Sequence, residues 1–337
     1  MTSLRCPLCR HPLDAPTETQ VACGGCRRAF PVLVGIPDLR VADGPYISNA
    51  DDWRKAQRIA AESSRSSFAE LVALYYRLTP EVPPEDARRY AHGLLTAEKR
   101  AAETLDSWAQ LAGHPVASGT RFIDVGCGTG ALLAQVARLG AQPLGVDVSL
   151  RWLVVARRRL EEAGVAVPLV CANGEVLPLE DAAADCVAFD SALEHFRDGI
   201  AAVREAARVL RPGGELWAST PNRWSLGPDP HLGIWAGGLL PERLTRMLAA
   251  RRGALAPVRH LVTAAELQRW LGAGGFGPAR LGVPAVSAVQ RGGLSLVGRL
   301  LAGGYNRVCG LAGFRALFLR LGPVLHAVAV RHPSPAA

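Results

Sequence analysis

The segment from Arg121 to Leu139 constrains the fold of this chain more than any other. Residues 121–125 are typical of a buried strand, residues 126–130 form a glycine-rich turn, and residues 131–139 have helical character. A strand, a glycine-rich turn and a helix in succession let the backbone approach a ligand that the helix N-terminus faces. The sequence therefore predicts an α/β fold with a doubly wound parallel sheet and a nucleotide-binding corner.

This corner alone does not identify its ligand. Gly126, Gly128 and Ala131 also satisfy the dinucleotide fingerprint G-x-G-x-x-G/A. The next predicted strand ends at Asp147, about where an acidic residue accepts hydrogen bonds from ribose hydroxyls. The geometry suits NAD and S-adenosylmethionine (SAM) equally.

Five segments that follow one another along the chain favour SAM over NAD as the ligand. Together they resemble the signature motifs of class I SAM-dependent methyltransferases with a type-11 methyltransferase domain. They are residues 124–130 (DVGCGTG), 146–149 (VDVS), 171–178 (CANGEVLP), 185–195 (DCVAFDSALEH) and 208–216 (RVLRPGGEL). The resemblance covers roughly residues 118–283. It implies a Rossmann-like, mostly parallel seven-stranded sheet with an antiparallel final strand, and an enzyme that uses SAM as its cofactor.

The resemblance also implies which residues hold the cofactor. The glycines would let the backbone approach the methionine part of SAM, the carboxylate of Asp124 would help to fix that loop, and Asp147 would bind the ribose. The predicted cofactor-binding residues are Asp124, Gly126, Cys127, Gly128, Gly130, Asp147, Val148, Asn173, Gly174 and Asp190.

Asn173 departs from the family pattern. The family usually has an aspartate here, which accepts a hydrogen bond from the adenine amino group. An amide oxygen can accept the same bond without the charge-assisted strength of a carboxylate. We therefore expect SAM to bind, with a weaker adenine contact.

Two CxxC pairs near the N-terminus, Cys6/Cys9 and Cys23/Cys26, have the spacing of a four-cysteine zinc site. A segment of about 45 residues cannot bury enough apolar area to fold alone, so the ion would supply the missing stability. Four cysteine ligands leave no position for a reacting water, so the predicted zinc is structural.

Residues 4–40 look like the zinc ribbons related to the small activator proteins of tRNA methyltransferases. We therefore predict a zinc ribbon over residues 1–45, a helical connector or lid over 46–116, and a methyltransferase domain over 117–337 with insertions at about 221–258 and 288–322. Within the connector, Tyr90, His92 and Arg100 could reach a ligand, although packing or surface roles are the simpler interpretation.

Catalytic and substrate-binding residues are less constrained. Methyl transfer from a sulfonium mainly requires alignment, and a general base helps only when the acceptor carries a proton. His195 follows the fourth strand, at the edge where ligands bind such sheets. His231 is the rival candidate for the base, and a capping or packing role is the alternative for His195.

The segment 220–235 is predicted to be either a substrate-binding loop or a loop that packs on itself. Its substrate-facing candidates are Asn222, Arg223, Asp229, His231 and Trp235.

The charge distribution leaves several partners open. The net charge is +8, and no acidic residue follows Glu266, while eight arginines do. Residues 294–321 are apolar and carry four of those arginines. This pattern fits packing on the domain, contact with RNA phosphates, contact with an anionic membrane surface, or covering of an apolar substrate. No uncharged apolar run reaches the ~18–20 residues of a membrane span, and the first residues lack a signal-peptide core. With thiols that suit a reducing compartment, we expect a cytoplasmic protein.

Three functions follow from the sequence. The favoured one is a methyltransferase that acts on a small-molecule, saccharide or lipid-like acceptor. The second is an RNA methyltransferase that grips nucleic acid with the ribbon and the basic C-terminal region. The third is a non-catalytic partner subunit with a SAM-type fold.

Overall fold

The structure is a computed structural model that describes residues 3–227, 234–251, 258–292 and 294–332. Along the chain it shows a small N-terminal sheet, a set of helices and an α/β domain. The predicted seven-stranded, mostly parallel sheet is confirmed.

The N-terminal sheet is antiparallel and docks against one edge of the large sheet. Its strands are β1 (Gln20–Ala22), β2 (Ala29–Leu33) and β3 (Ile36–Pro37). Backbone hydrogen bonds join it to the α/β domain: the amide of Arg5 donates to Pro178 O, and the amide of Leu39 donates to Cys171 O at 2.7 Å. The ribbon region is therefore part of the same packed body as the α/β domain.

Four helices follow the small sheet, as the helical connector predicts. They are α1 (Asn49–Ser63), α2 (Phe68–Arg77), α3 (Pro84–Leu95) and α4 (Ala97–Ala112). Local signals set their starts: Ser48 caps α1 by accepting the Asp51 amide, and Ser67 forms a capping box with Glu70.

The large sheet contains β4 (Arg121–Val125), β5 (Gln142–Asp147), β6 (Leu169–Cys171), β7 (Ala184–Asp190), β8 (Leu210–Pro221), β9 (Arg280–Gly282) and β10 (Val324–Val330). The strands are arranged in the order β6-β5-β4-β7-β8-β10-β9. The last strand, β10, is antiparallel to both neighbours, as the resemblance implied. The pairing of β9 with β10 covers Arg280 to Gly282.

Helices cover both faces of this sheet and extend from its edge. They are α5 (Ala131–Arg138), α6 (Leu150–Glu162), α7 (Gly199–Val209), α8 (Glu242–Arg251), α9 (Ala264–Ala273), α10 (Ala288–Gly292), α11 (Leu296–Val308) and α12 (Arg315–Leu321). Three 3-10 turns lie at Leu193–His195, Gly237–Leu239 and Ala312–Phe314. The helices α1 and α2 pack against α6, whereas α4 packs against α5 and β10.

The strand order fixes where a ligand can bind. The chain runs outward from β4 to β6 in one direction and then from β7 in the other, so the sheet has a topological switch point between β4 and β7. A crevice opens beyond the carboxyl ends of parallel strands at such a point. The turn after β4 and the end of β7 at Asp190 therefore meet at one place.

The region 294–321 packs on the domain with one face only. Gly298 and Ala302 of α11 are buried, and the hydroxyl of Tyr305 donates to Pro284 O. The opposite face leaves large apolar side chains exposed, including Leu296, Leu300 and Phe314. Among the described helices, none is both long enough and apolar enough to cross a bilayer.

Candidate functional site

A cavity of about 380 Å³, called the first cavity below, lies at the carboxyl ends of β4, β5 and β6. Five of the predicted cofactor-binding residues line it: Gly126, Asp147, Val148, Asn173 and Gly174. Most of the other lining side chains are apolar, among them Val125, Val146, Trp152, Ala172, Val176, Ala192 and Phe196. The sequence motifs that lie apart in the chain thus converge on one site.

The glycine turn brings backbone to the edge of this cavity. Gly126 has a φ of +82°, and a Cβ added there would lie 2.5 Å from the Cβ of Ala192. Only glycine fits that position without strain. The amide of Gly128, which also has a positive φ, donates to Asp147 Oδ2 at 2.8 Å. Cys127, by contrast, is a buried core residue, and Gly130 begins α5 in the left-handed conformation.

Asp147 joins the two loops on either side of the cavity. Its Oδ1 accepts the Ser149 amide at 2.7 Å, while its Oδ2 accepts the Gly128 amide. Burial raises the pKa of Asp147, and these two hydrogen bonds oppose that rise. Each carboxylate oxygen has a second lone pair, so the group can still accept hydrogen bonds from a ribose.

Asp124 carries a buried oxygen that lacks a partner. The residue is 1% exposed, and its Oδ1 has no hydrogen bond among the described residues. Burial, with repulsion from Asp190 and Asp147, raises the pKa of Asp124. An unpartnered buried carboxyl group beside a glycine turn fits a ligand that bears an ammonium group, as SAM does. Asp147 and Asp124 offer acceptors of the kind that the ribose and the amino group of SAM require, and their contacts with SAM stay predictions.

Asn173 is held by a segment that the sequence did not point to. Its Oδ1 accepts the amides of Val41 at 2.9 Å and Ala42 at 3.2 Å, and its Nδ2 donates to Ala42 O at 3.2 Å. Both lone pairs of the amide oxygen are therefore used. An aspartate could not make the third of these bonds, which gives the departure from the family pattern a structural reason. The adenine contact of Asn173 stays a prediction.

Residues 40–46, called the strap below, form a wall of the first cavity through Val41, Ala42, Asp43, Pro45 and Tyr46. The boundary that the sequence predicts between ribbon and connector, at residues 45 and 46, falls inside this strap. Its backbone is irregular and follows β3 without a motif. Only the contacts made in three dimensions identify it as part of the site.

A buried cluster of ions anchors the strap. The guanidinium of Arg40 donates to Asp38 at 2.5 Å, to Asp52 at 2.7 Å and to the carbonyl of Val148 at 3.0 Å. Asp52 is fully buried, pairs also with Arg151, and accepts the amide of Leu150 at the start of α6. The strap is therefore fastened to the strand end that carries Asp147.

His195 lines the first cavity, where the strap meets it. Its Nδ1 lies 3.0 Å from the hydroxyl of Tyr46 and 3.0 Å from Val258 O. Because a carbonyl can only accept, Nδ1 carries the proton and the lone pair of the neutral ring is on Nε2. This tautomer is compatible with a base, and the catalytic role of His195 stays a prediction.

Of the predicted substrate-facing residues, the three that the structure describes, Asn222, Arg223 and Trp235, do not line the first cavity. Asn222 is buried, and its Nδ2 donates to backbone carbonyls of residues 319, 320 and 322, so its amide is occupied in holding the chain. Arg223 pairs with Glu266 and donates to Leu261 O. Trp235 is 52% exposed. Asp229 and His231 lie outside the described residues.

Asp190 lines a second cavity and not the first, which five other predicted cofactor residues line. This second cavity, of about 280 Å³, lies between α4, the ends of β7, β8 and β10, and the loop after β9. Ser191 lines both cavities, so they adjoin. Of the three connector residues that could reach a ligand, Arg100 lines the second cavity.

The four cysteines of the ribbon converge as predicted. The Sγ atoms of Cys6, Cys9, Cys23 and Cys26 all lie within 4.8 Å of one another. The backbone amide of Cys26 lowers the pKa of Cys23 to about 7, which favours the thiolate that binds metal. Four converging sulfurs are consistent with a tetrahedral zinc ion.

Comparison with known proteins agrees with the site. Residues 123–218 match the methyltransferase domain family. Two ubiquinone biosynthesis O-methyltransferases are similar: that of Xanthomonas axonopodis pv. citri is 42% identical over 107 residues, and that of Methylocella silvestris is 39% identical over 146 residues. The alignments cover 32% and 39% of this chain, and 45% and 57% of those proteins. The chain thus spans about half the length of the curated relatives it matches.

Among solved structures, a SAM-dependent methyltransferase from Thermotoga maritima, described as a possible histamine N-methyltransferase, aligns with 72% of this chain and 95% of that chain. The sequence identity is 17% and the TM-score is 0.47.

Proposed function

We propose that this chain, which contains a class I methyltransferase domain at residues 123–218, is a SAM-dependent methyltransferase that acts on a small molecule. One observation carries the proposal. Gly126 of the glycine turn and Asp147 line a cavity of about 380 Å³, and the unpartnered carboxyl of Asp124 belongs to the residue before Val125, which also lines it. This arrangement offers acceptors for the ribose hydroxyls and the amino group of a nucleoside that carries an amino acid.

The residues of this site would bind and orient rather than react. The glycine turn and Asp147 would hold SAM, which when bound would supply an electrophilic methyl group to a lone pair of the acceptor; the electron pair of the broken carbon–sulfur bond would stay on sulfur, and the acceptor's proton would pass to water or to a base. Alignment is the main contribution of the protein to such a transfer. The strap and the apolar cavity walls would exclude water from the site.

A general base is needed if the acceptor is a hydroxyl. We propose His195 for this role because it lines the first cavity and because its Nδ1 is fixed by Tyr46 and Val258. His231 remains the rival candidate.

The proposed acceptor is a small-molecule, saccharide or lipid-like compound. The O-methyltransferase relatives support an acceptor of this size. Free thiols and the CxxC pairs suit a reducing compartment, so we propose that the protein works in the cytoplasm.

Isothermal titration of the zinc-loaded protein with SAM tests this proposal. We expect saturable binding, and we expect Asp147→Asn to weaken it at least tenfold, because that variant removes the charged acceptor. Glu62→Gln, an exposed change on α1, is the matched control and should bind like the parent. The absence of binding heat would refute the proposal, whereas binding without transfer to any acceptor would favour the non-catalytic partner.

A further inference from the structure

The second cavity has the position that a methyl acceptor requires. Asp190 ends β7, and Ser191, the next residue, lines both cavities. Reacting atoms must approach to about 3–3.5 Å in a productive complex. A molecule in the second cavity would lie next to one in the first, with the end of β7 between them.

The second cavity contains hydrogen-bond acceptors that are not satisfied. The Oε2 atom of Glu103 is buried and has no hydrogen-bond partner among the described residues. A buried polar atom left unpaired is destabilising, so a ligand that donates a hydrogen bond to this oxygen is favoured. Asp190 adds a second carboxyl group, whose Oδ1 accepts from the Ser219 hydroxyl at 2.5 Å.

The guanidinium of Arg100, which lines this cavity, is already hydrogen-bonded within the protein. Its Nη1 donates to Thr96 Oγ1 at 2.9 Å, and its Nη2 donates to Gly93 O at 2.7 Å. Its single charge faces the two carboxyl groups of Glu103 and Asp190. The cavity therefore favours neutral or cationic donors over anions.

His326 adds a polar group without adding charge. It is 3% exposed, it lines the second cavity, and its Nδ1 lies 2.9 Å from the hydroxyl of Ser107. Burial lowers the pKa of His326 to about 4, so the ring is neutral near pH 7. Its Nε2 has no hydrogen-bond partner among the described residues and is available to a ligand.

We propose that the second cavity is the acceptor site, and that it takes a small polar molecule whose hydroxyl or ammonium groups donate to Glu103 and Asp190. This inference rests on the proposed methyltransferase function and narrows its acceptor class. Long apolar acceptors and carboxylate-only acceptors do not fit these side chains.

A labelling experiment tests the acceptor class. The zinc-loaded protein is incubated with methyl-labelled SAM and an extract of the source organism, which is then separated into water-soluble small molecules, lipids, RNA and protein. We expect label in a water-soluble compound that carries a hydroxyl or an amine. Label confined to lipid, RNA or protein, or no label in a protein that binds SAM, would overturn the acceptor proposal. No SAM binding would instead refute the methyltransferase function.

Two variants then locate the acceptor. Glu103→Gln removes the negative charge of the carboxylate that would bind the substrate. Ala285→Leu narrows the second cavity from the opposite side. Both should reduce labelled product at least tenfold, with the Kd for SAM changed less than twofold. Asp106→Asn, on the exposed side of the same helix, should leave both quantities unchanged.

If Glu103→Gln instead weakens SAM binding tenfold, the second cavity holds part of the cofactor and the proposal is wrong. If both variants fold with the parent melting temperature and transfer label like the parent, the acceptor binds elsewhere.

Discussion

The ribbon and the C-terminal helices α11 and α12 are both additions to the methyltransferase domain, yet they relate to its site in opposite ways. The ribbon continues into the strap, which forms a wall of the first cavity and is held by Arg40, Asp52 and Asn173. The C-terminal helices contact the domain through one face and expose apolar side chains and arginines on the other. An added module can thus be integral to a site or peripheral to it, and burial distinguishes the two.

The largest effect should follow from disrupting the zinc cluster. A structural zinc site contributes on the order of 10 kcal/mol of binding free energy to the fold around it. In Cys23→Ser we expect the ribbon to lose protection against hydrogen exchange, residues 38–46 to exchange faster, and the affinity for SAM to fall at least tenfold. Mass spectrometry of peptides and calorimetry measure these changes.

Cys309→Ser is the control, because Cys309 lies at the end of α11, away from the ribbon cluster. If Cys23→Ser releases zinc while the strap stays protected and SAM binds as before, the ribbon is not integral to the site.

The second largest effect should come from the buried ion cluster. Asp52 is fully buried and pairs with Arg40 and Arg151. Removing one partner of a buried pair typically costs about 3–5 kcal/mol, because the other charges stay buried. Asp52→Asn should therefore lower the free energy of unfolding by about that amount in a urea titration.

The exposed pair of Glu62 with Arg65 offers a matched comparison, since a surface pair contributes about 0–1 kcal/mol. Equal effects of Asp52→Asn and Glu62→Gln would show that the strap is not held by its ions.

This contrast also shows what the sequence could and could not predict. The ribbon cysteines, the Gly126 turn and Asp147 follow local patterns with a fixed spacing, so the sequence alone could name them as site candidates, and their roles toward zinc and SAM stay predictions. The strap has no such pattern, because Val41 and Ala42 bind through backbone amides that any residue possesses. Asn222 shows the converse. Its polar side chain in a loop suggested a ligand contact, which stays a prediction, whereas in the structure its amide nitrogen donates to backbone carbonyls from the region before β10.

Asn173→Asp should give an intermediate effect that separates the two interpretations of this residue. The variant keeps an acceptor for the amides of Val41 and Ala42 but loses the donor to Ala42 O. We expect a loss of about 1 kcal/mol in stability and a weaker affinity for SAM, because the strap is loosened. A tighter affinity in calorimetry would instead show that the adenine contact outweighs the strap, as the family pattern implies.

The smallest effect should come from the exposed face of α11. Leu300 is 70% exposed, so replacing it changes the buried apolar area of the folded protein very little. Surface substitutions of this kind usually change stability by less than about 0.5 kcal/mol, and Leu300→Ser should leave the Kd for SAM unchanged.

Ala302, two residues further along α11, is buried on the face that packs on the domain. Ala302→Leu should therefore lower the free energy of unfolding by about 1–3 kcal/mol through overpacking. Urea titrations of both variants compare the two faces of one helix. Should Leu300→Ser destabilise the protein as much as Ala302→Leu does, the exposed face would have to pack against something in solution, and the C-terminal helices would no longer be peripheral.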